Sequence, residues 1–427
     1  MPRKFIAGSA FAIGVIIAAP AAAQTSSSGT VTALVDTILR RVVADSPVTD
    51  EEFDQRRRET RDGIAIGITT ALASYPLGAS SAGLVYITGP NKEPILKSTS
   101  FGSMFVERSV TNGRGTFNLG VSYQQSGFDK LQGIDLKNAG FPTQSQLGTY
   151  TGDGSGVGDA FFAKLDVKSR VFVFSGSYGV TDSLDIGWAV PIASLSVRGQ
   201  LIREYDAGHD FVISQAIRDA YPNKAGTLVM TDETVDASGL GDVMMRAKYA
   251  FGRPSDQIAM VAAELRLPTG DEENMLGTGK ATFKLSAGST RNFGAASLNV
   301  NGGYTAGLTD ELNFAAGADV ALLARKQLTV SFDFISQRLL DTVVSIGQEI
   351  SRDRVEGDGV VFLPRRVVIS YGFWNQGATT LNRAAVGAKY NFVGNWLLTA
   401  SGVFRLNDNG FQSKFMGLVG LERSWGR

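Results

Sequence analysis

From about Ser81 to the end of the chain, apolar and polar residues alternate with a period of two, in runs separated by turn residues. Successive side chains of a strand point to opposite faces, so each such run has one apolar and one polar face. In 116–124, Phe117, Leu119, Val121 and Tyr123 alternate with Thr116, Asn118, Gly120, Ser122 and Gln124. In 242–251, Val243, Met245, Ala247, Tyr249 and Phe251 oppose Asp242, Arg246 and Lys248. In 280–287, Ala281, Phe283, Leu285 and Ala287 oppose Lys280, Thr282, Lys284 and Ser286. In 312–322, Leu312, Phe314, Ala316, Ala318, Val320 and Leu322 share a face. In a soluble sandwich the apolar face must pack on a second sheet. Here nearly every run has the length of about ten residues that crosses a bilayer as a tilted strand. The pattern predicts an all-β protein: a transmembrane antiparallel up-and-down β-barrel, with a short helical segment before it.

The connections alternate in length. Short turns fall at 180–183, 252–256, 293–294, 325–326 and 393–395, and long connections at 125–168, 205–238 and 337–379. Outer-membrane barrels have short periplasmic turns and longer external loops. Tracing from a periplasmic start predicts strands near 81–89, 95–109, 114–126, 168–179, 183–203, 239–251, 257–268, 280–292, 295–306, 311–323, 327–338, 380–392, 395–406 and 411–425. That is about fourteen, an even number, as such barrels require. Parity places the strand-like stretch 365–374 in an external hairpin. Tyr178, Tyr249, Phe251, Tyr390, Phe392 and Trp425 close inward-running strands beside the short turns. Their rings suit the headgroup level of a membrane.

The first residues have the three parts of a secretory signal. Arg3 and Lys4 precede the apolar run Phe5–Ala19, and Ala21, Ala22 and Ala23 offer the small residues of a cleavage site. The run is shorter than the ~20 residues a spanning helix needs, which disfavours an inner-membrane anchor. The reading divides the chain into a signal peptide (1–23), a helical leader or plug (24–62) and the barrel (63–427). In the second part, Val31, Leu34, Val35, Ile38, Leu39 and Val42 recur at helical spacing. Asp50, Glu51, Glu52 and Asp54 then precede Arg56, Arg57 and Arg58. A mobile periplasmic leader and a plug inside the barrel both fit this pattern.

The chain has no cysteine, which excludes disulfides, thiolate metal sites and thiol nucleophiles. Its 41 basic and 41 acidic residues become 39 and 41 once Arg3 and Lys4 are removed, a net charge of −2. A nucleic-acid partner would require a basic excess. Mean hydropathy is near zero, at +0.02, as expected where half of each strand faces lipid and half faces water.

Several motifs resemble a known family. They are Gly239-Leu240-Gly241-Asp242, Ala247-Lys248-Tyr249, Leu265-Arg266-Leu267-Pro268-Thr269-Gly270-Asp271 and Leu276-Gly277-Thr278-Gly279. Residues 178–187 (YGVTDSLDIG) and 406–410 (LNDNG) fit the same pattern. As a set, over roughly 100–425, they resemble the outer-membrane family named for the meta-pathway of phenol degradation, distantly like the long-chain fatty-acid transporters. The resemblance implies a barrel transporter with no catalytic residues to carry over. The chain departs from common barrel practice at its end, where Gly426 and Arg427 follow Trp425.

Candidate sites are few. The single histidine, His209, lies in a long connection, and no G-x-S-x-G motif accompanies it. Gly277-Thr278-Gly279-Lys280 lacks the first glycine of a phosphate loop, Asn274 standing there. The glycine-rich stretch 153–159 departs from a calcium loop at Val157 and Lys164. Asp271, Glu272 and Glu273 form an acidic loop. No metal or cofactor follows from any of these. The polar strand faces carry Arg246, Lys248, Glu264, Arg266, Lys280 and Lys284, then Asp319, Asp333, Arg383, Lys389, Arg405 and Glu422. Charge facing lipid costs several kcal/mol near the midplane, so these groups face the lumen. Arg246, Lys248, Glu264, Arg266, Lys284, Asp319, Asp333 and Lys389 are the candidate lumen-lining set, either as a salt-bridged interior or as a solute path.

The expected function is passive uptake of small molecules, hydrophobic or aromatic ones among them, through the cell outer membrane. The partners are outer-membrane lipids, the solute and the barrel-assembly machinery, with no nucleic acid. A lipid-acting barrel enzyme and a structural or adhesive barrel are the alternatives.

Overall fold

The alternating runs become a ring of antiparallel strands. The computed structural model describes residues 29–39, 50–73, 86–88, 94–96, 100–138, 140–149, 156–205, 226–253, 257–307, 309–322, 327–340, 344–352, 366–375 and 378–426. The proposed signal segment and His209 lie outside them. Two helices come first, α1 (Val31–Ile38) and α2 (Asp50–Ala73), then a separate two-stranded sheet of β1 (Tyr86–Thr88) and β2 (Pro94–Leu96). The remaining strands are β3 (Phe117–Leu131), β4 (Ile134–Asp135), β5 (Phe141–Thr149), β6 (Gly156–Gly179), β7 (Leu184–Tyr205), β8 (Gly226–Leu240), β9 (Met244–Arg253) and β10 (Gln257–Arg266). They continue with β11 (Thr282–Phe293), β12 (Ala296–Ala306), β13 (Glu311–Leu322), β14 (Leu328–Leu339), β15 (Val344–Arg352), β16 (Arg366–Asn375), β17 (Thr379–Val393), β18 (Trp396–Arg405) and β19 (Phe411–Trp425).

Twelve strands close the wall, in the order β3, β6, β7, β9, β10, β11, β12, β13, β14, β17, β18 and β19, with β19 pairing back onto β3. Every neighbouring pair is antiparallel, and closure leaves no free edge, which is what lipid demands of a sheet. The expected strands 81–89 and 95–109 do not join this wall. Among the described residues the first supplies β1. Among the described residues of the second, β2 is strand, and residues 100–116 run as irregular backbone inside the barrel. The stretch 366–375 pairs with β15 and with β5 beyond the membrane-spanning ladder, as an external hairpin. β6 and β7 are longer than a crossing needs, at 24 and 22 residues, and rise past it.

The faces are those the alternation requires. Met245, Tyr249, Phe251, Phe283, Leu285, Leu312, Phe314, Val320 and Leu322 are exposed on the outer wall. The girdle residues Tyr178, Tyr249, Phe251, Tyr390, Phe392 and Trp425 are exposed as well, beside the short turns. This wall has an apolar outer belt, an aromatic girdle and polar groups turned inward, so the protein is a barrel of the outer membrane.

The motifs at 239–242, 265–271 and 276–279 build one local structure. β8 and β9 both pair with β7 and are interrupted at 241–243. There the Asp242 carboxylate accepts from the Gly270 N–H at 3.0 Å, and from the Thr278 N–H and Oγ1 at 2.8 Å each. A Cβ on Gly270 would lie 2.6 Å from the Gly277 Cα, so the two loop arms meet only as glycines. This ties the β10–β11 loop down onto the wall.

Candidate functional site

The lumen has two levels. At the long-loop level, inward residues of β6 and β7 are apolar: Phe161, Leu165, Val167, Val171, Leu195, Val197 and Leu201 are buried. Against them rests α1. Thr30 caps it by accepting the Ala33 N–H, and its stripe of Val31, Leu34, Val35 and Ile38 is buried in the same cluster. Gly199 lets it approach, since a Cβ there would lie 3.0 Å from Ile38 Cγ2. Ile64 and Ile68 of α2 join the cluster, and a Cβ on Gly67 would lie 3.3 Å from Phe411 Cβ. Asp36 of α1 pairs with Arg57 at 3.4 Å and Arg61 at 3.3 Å of α2. The far side of this level is polar. Arg383 donates to Gln337 and Gln412, and Arg405 pairs with Asp129 at 2.7 Å.

At the short-turn level, residues 100–116 form a strap across the mouth. Phe101 N–H donates to Thr329 Oγ1 at 2.9 Å. Met104 and Phe105 N–H groups both donate to Asp333 Oδ2, at 2.9 and 2.8 Å. Lys389 Nζ donates to the carbonyls of Phe101 and Ser103, at 3.0 and 2.8 Å. Ser109 N–H donates to Thr290, and Asn112 N–H to Asp185 Oδ2 at 2.9 Å. In its middle, Glu107 takes Arg246 on one oxygen and Lys248 on the other, both at 2.9 Å. Lys248 Nζ, whose side chain is 1% exposed, also donates to the Val110 carbonyl at 2.8 Å. Arg246 pairs in turn with Glu264, and Glu264 with Arg266 at 3.5 Å. The strap thus satisfies its backbone groups on wall side chains, the condition for irregular backbone at membrane depth.

The eight candidate lumen residues all stand on inward faces. Arg246, Lys248, Glu264 and Arg266 gather around Glu107, with Lys284 half-buried beside them on the next strand. Asp333 and Lys389 hold the strap's first turn, and Asp319 accepts from Asn299 Nδ2 at 2.9 Å. Lys280, read as an inward strand residue, lies exposed in the loop before β11. The acidic loop at 271–273 is turned on itself, Asp271 accepting from the N–H groups of Glu273 and Asn274. No cluster of three or more metal-ligating side chains occurs among the described residues.

Glu107, Arg108, Asp185 and Asn112 are functional candidates that the alternation missed. A signal was present. Glu107 and Arg108 are adjacent, so a strand through them would turn one charge to lipid. Gly317 marks the strap's path on β13, since a Cβ there would lie 2.6 Å from Ser103 Oγ and 2.9 Å from Val106 Cγ2. Gly317→Val is therefore expected to displace the strap while the wall persists. Raised bilayer conductance with an intact heat-dependent gel shift would show it, and unchanged conductance would contradict it.

No family model matches the chain, and no curated protein matches it. Among solved structures it is similar to the COG4313 outer membrane channel from Pseudomonas putida F1, at 14% identity and a TM-score of 0.42, over 74% of this chain and 98% of that one. It is similar to the toluene transporter TbuX of Ralstonia pickettii, at 12% identity and a TM-score of 0.27, over 73% and 90%. A Pseudomonas aeruginosa FadL homologue matches at 11% identity and a TM-score of 0.30, over 73% and 90%.

Proposed function

We propose that the protein is a passive outer-membrane channel for small molecules, hydrophobic or aromatic ones included, whose resting lumen is filled by its own N-terminal segment. The observation that carries this is the division of the lumen. An apolar inner wall receives α1 and α2, and a mixed-charge mouth holds a strap by non-covalent contacts alone. A purely structural barrel needs neither an apolar lumen wall nor a removable occupant. The nearly balanced signs around Glu107 favour no strong selection for anions or cations. The resemblance to the phenol meta-pathway family belongs with this reading, and so does assembly by the barrel machinery on an exported chain that begins at Gln24. The lipid-acting enzyme reading requires His209 to be essential, and a lipase assay of His209→Ala tests it.

Deletion of residues 25–60 tests the reading. The truncated chain is expected to fold, to conduct more per channel than the full chain, and to admit more antibiotic. Matching conductance would show that residues 25–60 do not limit conduction while the strap and the end of α2 remain in place. Absence of conductance from both proteins would favour the structural barrel.

A further inference from the structure

Two arginines stand on the lipid face of the wall, at the level where the girdle meets the short turns. Arg423, on β19, alternates with the outward-facing Val419, Leu421 and Trp425, and is itself exposed. Its Cζ lies 5.0 Å from the Trp396 ring centre and 4.9 Å from that of Trp425. Trp396 is its cross-strand partner on β18, and Trp425 stacks on Phe117 at 6.0 Å. Arg291, on β11, is also exposed. It alternates with the outward Phe283, Leu285 and Phe293 and lies 5.3 Å from the Phe293 ring centre. Among the described residues no acidic side chain pairs with either arginine.

Since the described residues of the wall supply no acidic partner and hydrocarbon cannot, such a cation draws its counter-charge from outside the protein. At the headgroup level the available anion is a lipid phosphate. A guanidinium resting on aromatic faces keeps its N–H edge free, and that edge matches two phosphate oxygens. The aromatic contacts also hold the side chain in place before a lipid arrives. β11 and β19 stand six places apart in the twelve-strand ring, so the two arginines lie on opposite sides of the barrel.

We propose that Arg423, with Trp396 and Trp425, and Arg291, with Phe293, are two binding sites for the phosphodiester headgroup of glycerophospholipids in the periplasmic leaflet. They pin the barrel on opposite sides at one depth. The inference concerns the outer wall and is independent of what the lumen conducts.

The test uses the full-length mature barrel in detergent. It is incubated with phosphatidylglycerol, or with diacylglycerol of the same acyl chains, and read by native mass spectrometry. The wild type is expected to retain phosphatidylglycerol at two sites and to retain no diacylglycerol. Arg423→Gln and Arg291→Gln should each lose one of the two, and the double variant both. Arg423→Lys, which keeps the charge without the planar fork, should retain less than the wild type and more than Arg423→Gln. A heat-dependent gel shift confirms that each variant is folded. If Arg423→Gln does not fold, Arg291→Gln and the comparison of the two lipids on the wild type still decide. Equal retention in all variants, no retention by the wild type, or equal retention of diacylglycerol would overturn the proposal.

Discussion

Leu285→Arg is expected to destabilise the barrel by about 2–4 kcal/mol, the range for a lipid-facing arginine near the midplane. Leu285 is 55% exposed to the bilayer side, the fourth residue of the twelve in β11, with Phe283 and Ala287 before and after it on the same face. Its cross-strand partners are Ala263 on β10 and Tyr304 on β12, neither of which offers an acid. Ser286→Arg adds the same bulk and charge one residue later. There the side chain enters the lumen on the same face as Lys284 and Glu264, where water and counter-charge are at hand. It should be tolerated far better. Urea unfolding followed by gel mobility on heating measures both, and equal loss of folded barrel would contradict the assigned faces.

The second large effect is expected at Lys248. Lys248→Met leaves the Glu107 and Asp185 carboxylates without the ammonium that now sits 2.9 and 3.9 Å from them. Removing one partner of a buried ion pair costs about 3–5 kcal/mol. The wall's hydrogen-bonded ladder does not depend on that pair, so the loss should fall on the strap. The strap should leave the mouth, becoming open to protease and raising conductance, while the heat-dependent gel shift is kept. Glu107→Leu in the same chain removes the second charge and should restore part of the protection, because two apolar replacements leave less charge uncompensated. A protease-resistant strap with wild-type conductance in Lys248→Met would show that this contact does not hold the mouth closed.

What the sequence reveals here is mostly the wall. Period two is enforced by lipid on one side and water on the other, so it survives in β3, β11 and β13 without tertiary help. The girdle and the short turns follow from the same constraint. The strap carries no such imprint. Its residues meet wall side chains on every side, and burial all round imposes no period. Phe101, Met104 and Val106 resemble a broken strand only because they are apolar. α1 is an intermediate case. Its stripe is plain in the sequence, but the surface it lies on comes from β6, β7 and β8, far along the chain. Charge lining could be placed inside by elimination. Its convergence on Glu107 could not, because the apolar residues around Glu107 mimic a strand of the wall. The lipid-facing arginines were hidden for a related reason. Trp396 and Arg423 are distant in sequence and meet only in the register of β18 with β19.

The strap's position also constrains how the molecule is made. It runs directly into β3, held by Gly115 N–H on the Gly179 carbonyl, and β3 is the strand that meets β19 to complete the ring, Phe117 opposite Trp425. That seam joins the two ends of the barrel's own sequence, the most costly loop to close and so a late event in folding. A ring completed with the strap outside could take it in only through the mouth, against the solvation of its backbone and charged groups. Enclosure is therefore expected to precede closure. During refolding from denaturant, protection of residues 100–116 from protease should appear no later than the compact gel band. A compact band forming first, with the segment still cleavable, would show that the chain can thread a finished ring.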